Sequence, residues 1–210
     1  MLPFGKATEN FDQPVYIIGG GSSLVGFDFG RIKGNGYRLG VNKSAFWAEC
    51  DGMFSLDQHF VRMHRNDIQY FVNSGGDVWL AMPTNEDGHK LIDGATYIIR
   101  DRSKGLSSDP RYIYGVNSGY GALNLAFLKR APSVALLGLD MQYGKEGQTH
   151  FHDGYSWHNP NSHRWMCRVW SRAFDLAAIQ CKDAEVEVIN YIGNPPSKIT
   201  AFPTAPLDDL

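Results

Sequence analysis

The chain has 210 residues, with 20 Lys and Arg against 22 Asp and Glu, and a net charge of −2 provides no global field for nucleic acid or anionic lipid. Its 43% hydrophobic and 20% charged residues are ordinary globular composition, which argues against a disordered chain. No apolar run approaches the ~18–20 residues of a membrane span, and at a typical ~150 residues per domain one domain over 1–210 is expected.

Met1 to Asn10 lacks the charged start and long apolar stretch of a signal peptide. The first strong strand is Val15–Ile18, which runs straight into Gly19-Gly20-Gly21-Ser22-Ser23-Leu24. An apolar, β-rich run without polar alternation fits a strand buried on both faces of a parallel sheet. Similar runs follow at Tyr37–Val41, Met53–Leu56, Val78–Met82, Tyr97–Ile99, Val134–Leu137 and Val186–Ile189. Helical spacing of apolar residues predicts helices over Ser118–Lys129 and Arg164–Lys182. Strands alternating with helices predict an α/β fold: one three-layer, Rossmann-like domain around a mostly parallel sheet. Long loops are expected over 101–117 and 139–162, and an irregular tail over 194–210. Cys50, Cys167 and Cys181 are odd in number and form no CxxC, so they read as free thiols in a reducing cytoplasm.

Ligands of such sheets bind beyond the carboxyl ends of the strands. Glycines permit close backbone approach, and Ser22 or Ser23 can cap a short helix whose free N–H groups attract an anion. The turn matches neither GxGxxG with its acidic partner nor GxxxxGK[ST], and its bland alternative is tight packing. Ser118 is expected as the N-cap of the next helix, with Gly119 letting a ligand reach its first turn; simple capping is the alternative. Asn42 ends the second strand and Asp57 follows the third, at the same sheet edge as Gly20. Tyr112 and Tyr114 precede Ser118 and can donate O–H groups to a phosphate. Arg100, Arg102, Lys104 and Arg111 form a basic loop that can meet phosphates, with a solvated face as the alternative.

Four of the seven histidines, His150, His152, His158 and His163, fall within fourteen residues. His150 and His152, two apart on an extended segment, share a face, as metal ligands or acid–base groups do. Asp153 follows directly, so the spacing is not a standard binuclear motif, and no HExxH is present; a solvated aromatic loop is the alternative. Asp140 ends the penultimate strand, where a capping carboxylate is the plain reading.

In this order the motifs, strand-GxGxSL-xx-FDF-xx-I, strand-Asn, a Ser-Gly helix start, strand-Gly-Leu-Asp and a His-bearing loop, resemble a Rossmann-like superfamily. It includes bacterial lipooligosaccharide sialyltransferases, motility-associated sugar-transfer factors and hydroxymethylpterin pyrophosphokinases, with small members in bacteriophages. The resemblance covers roughly 15–192. It implies a nucleotide or nucleotide sugar held by Gly19, Gly21, Ser23 and Asn42, with Ser118 and Gly119 near the donor and Tyr112 and Tyr114 at its phosphate. It implies His163, before the last long helix, as the base, and sugar transfer without a metal or other cofactor. Ser22 replaces the usual proline of the turn, and His150 and His152 have no clear sialyltransferase counterpart.

The expected activity is therefore transfer of a group, a sugar above all, from a nucleotide-activated donor. A glycan, a small molecule or a modified base in phage DNA stays open as acceptor, as does a homo-oligomer. Gly20, Ser22 and Asp57 join the expected nucleotide site, and His150, His152 and Asp140 join His163 as expected catalytic residues. The rivals are a Mg²⁺-dependent diphosphotransferase using Asp57 and Asp140, a nucleotide hydrolase with metal in the histidine loop, and a non-catalytic nucleotide-binding module.

Overall fold

In the computed structural model the apolar runs become strands. The described residues are 10–82, 91–144, 147–153 and 160–210, the first five of the last segment by backbone only. The strands are β1 (Val15–Ile18), β2 (Tyr37–Val41), β3 (Gly52–Ser55), β4 (Asp77–Met82), β5 (Thr96–Asp101), β6 (Tyr112–Tyr114), β7 (Ser133–Leu137), β8 (Glu187–Ile192) and β9 (Thr204–Pro206). They form one sheet in the order β6-β5-β4-β3-β2-β1-β7-β8-β9, and every pairing is parallel.

Successive residues face opposite layers. Ile17, Phe54 and Leu136 enter one core, while Ile18, Met53 and Leu137 enter the other. α1 (Ser44–Trp47), α2 (Gln58–Met63) and α3 (Arg65–Asn73) cover the second core, where Ala45, Phe60 and Ile68 are buried. α4 (Ser118–Leu128) and α5 (Pro160–Asp183) cover the first through Leu123, Leu125, Phe174 and Ala177. The chain is thus a three-layer α/β domain of the expected class.

Four features differ from the sequence reading. The connection between β3 and β4 holds two helices that the apolar spacing does not announce, because their inward face is narrow. The 101–117 loop contains β6 and is bolted to the helices. Asn124, fully buried in α4, accepts from the N–H groups of Ser107 at 3.1 Å and Tyr114 at 2.8 Å. Gln180 of α5 accepts from the Leu106 N–H at 2.6 Å and donates to its carbonyl at 3.1 Å. The tail is not irregular throughout: β9 pairs with β8, and Ile199, Phe202 and Leu207 are buried. Finally, α5 starts at Pro160, so His163 lies within its first turn rather than before it.

Candidate functional site

Strand order reverses between β1 and β7: the chain leaves β1 toward β2 on one side and leaves β7 toward β8 on the other. Diverging connections open a crevice at the carboxyl edge, the usual ligand site of an open α/β sheet. Here the crevice is a cleft of about 690 Å³. Gly19, Gly20, Gly21, Asn42, Asp57, Ser118, Gly119, Asp140 and His150 all line it, so most of the expected site residues do converge.

The glycine turn works differently from expectation. The Gly19 and Gly21 N–H groups donate to the carbonyls of Leu137 and Gly138, both at 2.8 Å, which extends the β1–β7 pairing beyond the strands. A one-turn 3₁₀ helix, Ser22–Leu24, follows. Its anion is supplied by the chain itself: Asp140 accepts from the Ser23 N–H at 2.9 Å and from the Ser23 hydroxyl at 2.5 Å. Burial pushes the Asp140 carboxyl up from its ordinary value, and the two Ser23 hydrogen bonds oppose that. Both carboxylate oxygens are engaged, so Asp140 positions the turn.

The same packing explains the glycines. A Cβ at Gly21 would stand 2.4 Å from Asp140 Cγ, at Gly19 2.5 Å from the Gly138 carbonyl oxygen, and at Gly20 2.7 Å from His150 Cδ2. Ser22 and Ser23 are buried outside the cleft lining.

The second helix start is the open anion site. Asn117, not Ser118, is the N-cap of α4: its side chain accepts from the Tyr120 N–H at 2.8 Å, and its carbonyl accepts from Gly121 at 3.0 Å. The Ser118 hydroxyl instead accepts from the Leu56 N–H at 3.2 Å. Among the described residues the N–H groups of Ser118 and Gly119 have no acceptor, and both residues line the cleft. A helix N-terminus with free N–H groups favours an anion.

Arg100 stands beside it. Its Nη1 donates to the Leu56 carbonyl at 3.3 Å, so Leu56 ties the guanidinium to the Ser118 turn. The Arg100 Nε is buried with no partner among the described residues. Burial, and then Arg102, hold the Arg100 pKa below its usual value, and Asp57 opposes them; the group stays charged in any case. Among the described residues, two further buried polar atoms of the lining have no partner, Asn42 Oδ1 and Gln58 Nε2. Asn42 sits in the left-handed region at φ 54°, which an Asn tolerates well. Asp57 caps α2, accepting from the Phe60 N–H at 3.1 Å.

The histidine segment forms the opposite wall. The Phe151 N–H donates to the Gly20 carbonyl at 3.0 Å, which fixes the segment against the glycine turn. His150 and His152 share a face as expected, with ring centroids 4.9 Å apart and planes at 25°. Of these two, His150 lines the cleft, held by the Thr149 hydroxyl at 2.7 Å. His152 is buried, stacks on Trp47 at 6.4 Å, and donates from Nδ1 to the Asp153 carbonyl at 2.9 Å. Burial lowers its pKa from the ordinary 6.5. Lys43 secures the segment through the Asp153 carboxylate at 2.9 Å. Among the described residues no three His, Cys, Asp or Glu side chains converge as a metal site. The side chain of His163 and all of His158 lie outside the described residues.

Tyr112 and Tyr114 are not brought to the cleft: they lie on the edge strand β6, and Tyr112 packs under Arg111 at 5.5 Å. Of the basic loop, Arg100 and Arg102 reach the cleft, whereas Arg111 is paired with Asp109 at 2.6 Å. Sequence reasoning left Asn117 and Gln58 out of the site and weighed Arg100 only as one cation of a basic loop. The Asn directly before Ser-Gly was the readable cap signal, and an Arg at the end of an apolar strand was the readable anion signal. No family model matches this chain, and neither a curated protein nor a solved structure is significantly similar to it.

Proposed function

We propose that the cleft binds a nucleotide-activated donor and that the chain transfers a group from it, a glycosyl in the reading that the motifs imply. One observation carries this: among the described residues, an Arg100 guanidinium outside any ion pair, the free N–H groups of Ser118 and Gly119, and the unpartnered Asn42 Oδ1 and Gln58 Nε2 all border one cleft at the switch point. Buried polar groups without partners are costly, by about 1–3 kcal/mol each, so their gathering at one opening calls for a polar ligand. The donor phosphate belongs at Arg100 and the α4 N-terminus rather than at the glycine turn, whose place is taken by Asp140. Asn42 and Gln58 then address the nucleoside.

In the transfer, a lone pair of the acceptor oxygen forms a bond to the donor's reacting carbon. The bond from that carbon to the phosphate oxygen breaks, and its electron pair leaves with the phosphate, which Arg100 and the helix N–H groups stabilise. The acceptor proton goes to a neutral imidazole. His163 has that role in the reading from the motifs, and His59 and His150 are the imidazoles among the described residues of the cleft lining. A Mg²⁺-dependent diphosphotransferase is less well supported, because Asp57 caps α2 and both Asp140 oxygens accept from Ser23.

The test is a thermal-shift and calorimetric panel of CMP, CDP, UDP, GDP, ATP and their sugars. A ligand at 100-fold its Kd adds about 2.7 kcal/mol to stability, which is readily seen as a higher Tm. No shift and no heat with any nucleotide at millimolar concentration overturns the proposal.

A further inference from the structure

A second cavity, of about 460 Å³, lies beside the first. The two share Met141, Gln142 and Cys167, so these residues form the divide between them. Beyond the divide, the lining turns basic: Arg168 and Arg172 from α5, with Ser171 between them, and Lys198 from the tail. Among the described residues no carboxylate lines this cavity. Among the described residues none of the three cations is in an ion pair. Asp175 follows Arg172 by one helical turn but does not line the cavity.

The arrangement is built. Arg168 and Arg172 are i, i+4 neighbours on one face of a 24-residue helix, a spacing at which like charges repel. Lys198 does not arrive on a loose tail. Its N–H donates to the Asp140 carbonyl at 2.8 Å, and the preceding Ser197 hydroxyl donates to the Leu139 carbonyl at 2.7 Å. The Gln142 amide donates to the Pro196 carbonyl. Three hydrogen bonds therefore clip residues 196–198 onto the segment leaving β7 and present Lys198 across from α5. Three cations held around one hollow, without a counter-charge among the described residues, fit a multiply charged anion.

We propose that this second cavity binds the phosphate monoester of an anionic co-substrate; its role as the acceptor subsite rests on the donor reading above. The shared wall of Met141, Gln142 and Cys167 would then set the acceptor beside the donor cleft. A dianion is favoured over a carboxylate because three cations surround it, and its binding must weaken with salt.

The experiment titrates the full isotope-labelled chain with methyl phosphate, and separately with sodium acetate, following backbone amides by NMR. Saturable shifts are expected at Ser171, Arg172 and Lys198 with methyl phosphate, and at least tenfold weaker binding with acetate. Arg172→Glu and Lys198→Glu, both at exposed positions, should each weaken methyl phosphate, as read at these amides, at least tenfold. The same shifts should appear when the first cleft is saturated with the nucleotide that binds best. Loss of nucleotide binding with the methyl phosphate response intact would remove the acceptor role and leave the anion site. Absence of saturable shifts at these amides, an unchanged Kd in both charge-reversed variants, or equal affinity for acetate overturns the proposal.

Discussion

Replacing Arg100 by Met keeps an aliphatic stem and removes the guanidinium. In the folded protein this group makes one long hydrogen bond, 3.3 Å to the Leu56 carbonyl, and leaves its Nε buried without a partner. It has no carboxylate partner in an ion pair among the described residues, so little native stabilisation is lost with it. Stability should stay within about 1 kcal/mol of the parent, the size of one ordinary hydrogen bond. Binding should behave differently. A hydrogen bond to a charged group contributes about 1.5–3 kcal/mol, so the affinity for a phosphate-bearing nucleotide should fall about 10- to 150-fold. Calorimetric titration gives the affinity and urea denaturation gives the stability on the same preparation. The deficit should be largest at low ionic strength. A folded Arg100→Met protein with parental nucleotide affinity, or one whose denaturation midpoint collapses, refutes the assignment of Arg100 to the ligand.

Gly21→Val should unfold more easily, not merely lose ligand: its Cβ would displace the Asp140 carboxylate and strand the Ser23 donors, and overpacking plus the lost bonds costs about 2–5 kcal/mol. A parental urea midpoint would show that the turn serves a ligand instead. Asn42→Ala should lose both about 1 kcal/mol of stability, from left-handed strain, and nucleotide affinity; Asn42→Gly should recover the first but not the second, as paired denaturation and calorimetry would reveal. Because burial lowers the His152 pKa, the unfolded chain binds that proton more readily below the ordinary 6.5, so this group's contribution is complete above that pH and is lost as pH falls through the window. Urea midpoints at pH 7.5 and 5 should diverge in the parent and less so in His152→Phe. His163→Ala should cut turnover roughly 10²–10⁴-fold with donor affinity retained; activity abolished by a chelator and restored by zinc would point to a metal instead.

Much of the architecture was legible because its signals are local. Val15–Ile18, Val134–Leu137 and the other apolar runs carry no polar alternation, which only a two-sided parallel sheet explains, and helical spacing marked α4 and most of α5. The sheet edge holding Gly20, Asn42 and Asp57 followed from counting residues to the strand ends. Elements with a narrow apolar face, such as α2 and β9, were not legible, since packing rather than pattern holds them. Within the site, sequence marked Asp140 as catalytic or capping and Gly21 as nucleotide-binding, yet 117 residues of separation hid that Asp140 bonds Ser23 and fills the place of an anion. Only the folded sheet brings the ends of β1 and β7 together, and that contact moves the open anion site to Arg100 and the start of α4. Residue types are chosen locally, whereas which polar group is satisfied and which is left over depends on neighbours far apart in the chain.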